Sequence, residues 1–167
     1  SLVGSEMCIR DSHSIHYCRY ALRNKKYWYR VSSYFSTSYG KENTALGYQA
    51  LLSNKSGSSN TAIGFQAMMN ANDNANSNTS LETSNTAIGY QALMGSATPA
   101  SNTGTRNTAI GYQALKANTT GNYNIATGYN ALINNTTGSY NVATGYNALI
   151  NNTTGSYNTA TGYTLYS

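Results

Sequence analysis

Charge is what this chain has least of. Asp, Glu, Lys and Arg make up 9% of its 167 residues, against about 25% in ordinary soluble domains, so solubility has to come from amides, hydroxyls and phenols. The little charge present is unevenly placed. Up to Glu42 seven basic residues face three acidic ones, a net of +4, whereas from Asn43 onward Lys55, Arg106 and Lys116 face only Asp73 and Glu82, a net of +1. The formal +5 is therefore no basic footprint for nucleic acid over most of the chain. Cysteine occurs twice, at Cys8 and Cys18, which supports no disulfide framework and, without partners at ligand spacing, makes a poor zinc site. His13 and His16 lie three residues apart but lack a third ligand. No run approaches the roughly 18 apolar residues that a membrane span needs. From Asn43 onward there is neither His nor Cys, so the many hydroxyls have no base to activate them, and isolated glycines at wide spacing form no phosphate loop. Enzyme, metal and cofactor readings are excluded on these grounds.

What the chain has instead is one unit said seven times. Its opening Asn stands at Asn43, Asn60, Asn85, Asn107, Asn124, Asn141 and Asn158, at intervals of 17, 25, 22, 17, 17 and 17. A short fixed period is the mark of a stacked architecture. The third position is always Ala and the fifth always Gly; Thr, Ile, Val or Leu fill the second and fourth. With a strand period of two, Ala and Gly share one face and the β-branched residues the other. An aromatic column follows the Gly (Tyr48, Phe65, Tyr90, Tyr112, Tyr129, Tyr146, Tyr163), then Gln or Asn, Ala, and usually Leu or Met. This run is too short for a stable helix, and the Asn-Thr-Thr-Gly segments after it are turn chemistry, with Asn and Gly accepting positive φ. One unit then reads as strand, corner, short strand and turn: a coil of an all-β parallel β-solenoid of about seven 17-residue coils. Burial of one Ile, one Leu and two Ala per coil makes a thin core, which predicts association with other chains through the Ala/Gly face. Stacked aromatics are expected to form an internal ladder between coils.

The array occupies residues 34–167, entered through the tail of a preceding unit at Tyr34 to Gly40. Before it, residues 13–33 read as an irregular or spurious segment. Residues 1–12 lack an initiating Met, and Glu6 to Ser12 in particular resembles translated sequencing-library adapter. The chain is accordingly expected to be a piece of a longer protein.

In its Asn-Thr-Ala-Ile-Gly columns the array resembles the YadA-like head repeats of trimeric autotransporter adhesins. It is also similar to the Gly-Tyr-Gln-Ala-Leu and Asn-Thr-Thr-Gly repeats of bacterial and phage tail-fibre-domain proteins. The resemblance covers Asn43 to Tyr163, although the 17-residue unit is longer than the adhesin unit, and coiled-coil heptads, membrane-anchor strands and a chaperone domain are absent from it. It implies a left-handed β-roll in a homotrimer, extracellular, on a bacterial surface or in a virion tail fibre, serving adhesion. The expected function is a non-catalytic structural or adhesive fibre segment whose partner is a host-surface protein or glycan. A phage tail-fibre shaft is the alternative. An ice-binding solenoid is a remote one, since Thr-x-Thr occurs in a strand position only at Thr159 and Thr161. Specificity is sought where the repeat is interrupted, in loops on a rigid scaffold. The candidate contact residues are Asn70, Asn72, Asp73, Asn74 and Asn76 in the second unit, and Ser96, Thr98 and Asn102 in the third. Asn-x-Ser/Thr sequons begin at Asn54, Asn78, Asn118, Asn135 and Asn152; they read as turn residues, or as glycan acceptors in a eukaryotic secretory route.

Overall fold

The computed structural model describes residues 7–10, 16–22, 25–27, 40–71, 81–98 and 101–164. Ahead of the repeats, Met7–Arg10 (β1), His16–Leu22 (β2) and Lys25–Tyr27 (β3) form an antiparallel sheet in the order β1-β2-β3. The array supplies one three-residue strand from each unit: Thr44–Leu46 (β4), Thr61–Ile63 (β6), Thr86–Ile88 (β8), Thr108–Ile110 (β9), Ile125–Thr127 (β10), Val142–Thr144 (β11) and Thr159–Thr161 (β12). Gly57–Ser58 (β5) and Leu81–Glu82 (β7) make a separate parallel pair. The seven equivalent strands pair in parallel, in sequence order, in one sheet. No helix occurs among the described residues, and the fold is a parallel β-solenoid.

Register is held column for column. Ala62 pairs with Ala87 and Ala87 with Ala109, although 25 and 22 residues separate them rather than 17. The additional residues therefore leave the coil without shifting it. Coil-to-coil hydrogen bonds continue beyond the strands. Ile125 N donates to Asn141 O (2.8 Å), Gly128 N to Ile110 O (2.8 Å), Asn130 N to Tyr112 O (2.9 Å), Leu132 N to Ala148 O (3.0 Å), Thr136 N to Thr153 O (2.7 Å) and Tyr140 N to Asn122 O (3.0 Å). Main-chain polar groups all round the coil are thus paired with the coils on either side, which a segment packed this closely requires.

Two expectations about the unit are corrected. The second short strand expected over the aromatic-to-Leu run does not form among the described residues: that run is a chain of turns, and the additional pairing, β5 with β7, lies at the turn Gly and beyond it instead. In the unit from Asn124, the residues Gly128, Asn130 and Leu132 have φ of 135°, 55° and 52°, and alternation with left-handed residues is incompatible with an extended strand. A left-handed Leu costs about 1–2 kcal/mol, which burial of its side chain, worth about 1.5–3 kcal/mol, offsets. Leu115 and Leu132 are fully enclosed.

The second correction interchanges inside and outside. The Ala column faces the interior of its own coil, with Ala62, Ala87, Ala109, Ala126 and Ala143 at 0% exposure, and so cannot be the face that meets another chain. The β-branched columns point outward. The interior is made of two Ala columns, the Leu/Met column and Asn; Ala has the smallest side chain that still contributes apolar area, and it lets opposite walls of the coil lie close together.

The turn glycines also act differently from expectation. Gly138 does not have the positive φ anticipated for Asn-Thr-Thr-Gly; that conformation falls two residues later, at Tyr140 (φ 58°). A Cβ on Gly138 would instead run into the carbonyl oxygen of Gly155 in the next coil. Glycine is required there for room.

Candidate functional site

Alternation along each strand, continued by two residues on either side, sorts side chains into two sets. Asn and Ala turn inward; the residue before the Asn, both β-branched positions and the aromatic turn outward. In the last three units the outward set reads Tyr123, Ile125, Thr127, Tyr129; then Tyr140, Val142, Thr144, Tyr146; then Tyr157, Thr159, Thr161, Tyr163. The result is an uncharged outward surface four columns wide over these coils, its two strand columns flanked by tyrosines at the bends on either side. Apolar groups are unusually open on it: Leu46, Ile88, Ile110 and Ile125 are each 37–44% exposed. At about 4.8 Å per coil and 3.3 Å per residue the two outward strand columns measure roughly 34 by 10 Å over seven coils, on the order of 340 Å².

Aromatic stacking edges this face. Rings at Tyr48, Phe65, Tyr90, Tyr112, Tyr129, Tyr146 and Tyr163 stack in one ladder, with centroids 4.8–5.4 Å apart. The expected ladder between coils is present, but it lies on the outside. A second ladder, Tyr123–Tyr140–Tyr157, has centroids 4.9 and 5.0 Å apart and ends on the Arg106 guanidinium, 5.3 Å from the Tyr123 centroid. Sequence reasoning missed it. Its signal was the tyrosine immediately before three successive unit-opening asparagines.

Inside, polar order is as regular. Each opening Asn accepts, through Oδ1, the backbone N–H of the next: Asn124 N to Asn107 Oδ1 (2.9 Å), Asn141 N to Asn124 Oδ1 (2.9 Å), Asn158 N to Asn141 Oδ1 (3.0 Å). Its Nδ2 donates to a turn carbonyl, as Asn124 Nδ2 does to Gly138 O (2.8 Å). The turn asparagines form a parallel ladder, Asn152 Nδ2 to Asn135 Oδ1 and Asn135 Nδ2 to Asn118 Oδ1, both 2.9 Å. Asn54, Asn118, Asn135 and Asn152 are buried in these roles, so these four sequons are turn residues with no acceptor presented to solvent; the overlapping Asn-x-Thr sequons that begin at Asn134 and Asn151 have exposed asparagines, and Asn78 lies outside the described residues.

Asn70 N donates to Met94 O (2.9 Å), so the second and third units are in register up to the places where their additional residues begin. Of the candidate contact residues, Asn72, Asp73, Asn74 and Asn76 lie outside the described residues. Thr98 is exposed and Ser96 half-buried. Asn70 and Asn102 are buried. Asn102 braces the third unit's interruption from within: Nδ2 donates to Asn70 O (2.8 Å) and Ser96 O (3.0 Å), and Oδ1 accepts from Ser96 N (3.0 Å). The structure thus brings Asn70, Ser96 and Asn102 together, with Asn102 spent on holding the loop base.

Of the two array carboxylates, Glu82 is exposed and accepts from Ser59 Oγ at 3.0 Å; Asp73 lies outside the described residues. Among the described residues no group of three His, Cys, Asp or Glu is placed to hold a metal ion, and no helix is long and apolar enough to cross a membrane. No family model matches this chain, and no curated protein or solved structure matches it significantly.

Proposed function

We propose that this chain is a non-catalytic segment of an extracellular fibre or adhesin, a rigid solenoid that associates with copies of itself through the flat Thr/Ile face and displays its interrupted turns to a host surface. The observation that carries this reading is the open apolar residues of the two outward strand columns, Leu46, Ile88 and Ile110 in one and Ile125 in the other. Most main-chain and interior amide groups are consumed coil against coil, and exposed apolar area of this kind is suited to association. The resemblance to trimeric adhesin heads supports three copies about one axis. A tail-fibre shaft uses the same architecture and the same face.

Recognition belongs to the two interruptions, which lie outside the strand columns. The test is adhesion of the full chain, displayed on beads, to host cells or a glycan array. Deleting residues 72–79 together with 97–101, which restores the 17-residue spacing of both units, is expected to abolish binding while far-UV circular dichroism stays unchanged. Undiminished binding by that deletion would remove the interruptions from the account.

A further inference from the structure

We propose that the tyrosine ladders are an oxidative modification site, in which phenols one coil apart couple through their ortho carbons and staple successive coils covalently. This goes beyond the fibre reading and does not depend on it.

The geometry selects the partners. Tyr90, Tyr112, Tyr129, Tyr146 and Tyr163 are consecutive rungs with centroids 4.8–5.0 Å apart and planes within 9° of parallel; Tyr123, Tyr140 and Tyr157 are another three. All are at least 41% exposed, and the end rungs Tyr157 and Tyr163 are 78% and 75% exposed, so an oxidant too large to enter the ladder still reaches its end. Exposed rings can turn about their Cβ–Cγ bonds from stacked to bonded geometry. Competing sinks are few: from Asn43 onward the chain contains no Cys and no Trp, and its Met residues are Met68, Met69 and Met94, none of them beyond the third unit.

The co-reactant is a haem peroxidase with hydrogen peroxide. Two phenols each give up one electron and one proton. The resulting phenoxyl radicals form one carbon–carbon bond between ortho carbons, and the two ring hydrogens at that bond move to the oxygens, restoring both phenols. Peroxide takes the two electrons and two protons and leaves as two waters. Each link therefore costs the chain two hydrogens.

The protein carries its own control. Phe65 stands between Tyr48 and Tyr90 at 5.4 and 5.3 Å and has no phenol, so among the described residues Tyr48 stacks on no other phenol. The experiment is peroxidase treatment of the full chain, mixed as isotopically heavy and light copies, followed by peptide mapping and dityrosine fluorescence. Expected are light–light and heavy–heavy links that join ladder neighbours such as Tyr112 to Tyr129 and Tyr140 to Tyr157, each with loss of two hydrogens. Tyr48 stays unlinked, and Phe65→Tyr brings it into linked peptides. Links between the two ladders, heavy–light links in place of ladder-neighbour links, or coupling of Tyr48 as readily as Tyr112 in the unaltered chain would each overturn the proposal.

Discussion

Asparagine does in this chain what larger apolar residues do in most cores. Asn124, fully buried, donates to Gly138 O and Asn107 Oδ1 and accepts from Asn141 N and Nδ2. Removing one side of such an arrangement leaves buried donors and acceptors unpaired, at about 1–3 kcal/mol each before the lost bonds are counted. Asn124→Ala is expected to lower stability by roughly 3–5 kcal/mol in denaturant unfolding. Asn43→Ala, at the part-buried first coil, should cost a fraction of that. A second residue-scale expectation concerns the column after the aromatics. Gln113 Nε2 donates to Gln91 Oε1 (2.8 Å), Gln91 to Gln66 (2.7 Å) and Gln66 to Gln49 (2.7 Å). The column then changes to Asn130 and Asn147, whose Oδ1 atoms are buried without a partner. Asn130→Gln extends the side chain by one methylene toward Gln113 and is expected to raise stability by about 0.5–1.5 kcal/mol, the net worth of one hydrogen bond; an unchanged or lowered melting temperature would count against a continuous amide ladder.

At the scale of the element, the coil rather than the strand is the unit of structure. Three strand residues in 17 are too few to define it, and most of its circumference is turns bonded to turns above and below. This explains what the sequence did and did not disclose. The 17-residue period, the alternation about the Ala column and the stacked aromatics were all legible, because each is a repetition that only a stack produces. Which face was buried was not. Alternation assigns Ala and Ile to opposite sides without saying which is inside, and ordinary hydrophobicity favours Ile; the narrow coil reverses that. Left-handed Leu and Gln were equally hidden, since their propensities argue against φ above zero. For the site, the equivalent positions at which the two interruptions begin were readable from the sequence. The use of Asn102 as an interior brace was not, because it stands two residues before Gly104 and not three as in the regular turns. Register independence gives a prediction at this scale. Deleting Asn124 to Tyr140, one complete coil, is expected to leave a cooperatively melting array of reduced stability. Deleting eight residues within it, Asn124 to Ala131, should abolish the sharp transition in thermal circular dichroism.

Taken whole, the molecule is a stack whose interior amides are mostly tied into ladders, whose array is almost uncharged, and whose outward strand face carries exposed apolar residues between tyrosine margins. With Ala interior, the proposed association is assigned to that face instead, and this proposal is open to a direct measurement: sedimentation equilibrium of the full chain, alone and as the Ile88→Lys, Ile110→Lys double variant. The unaltered protein is predicted to sediment at three times its 17.9 kDa chain mass, and the variant, with two charges placed on the outward row and nothing changed inside, at the single-chain mass with the same circular dichroism spectrum. An unaltered chain that remains a stable monomer, or a double variant that still assembles, would contradict the account.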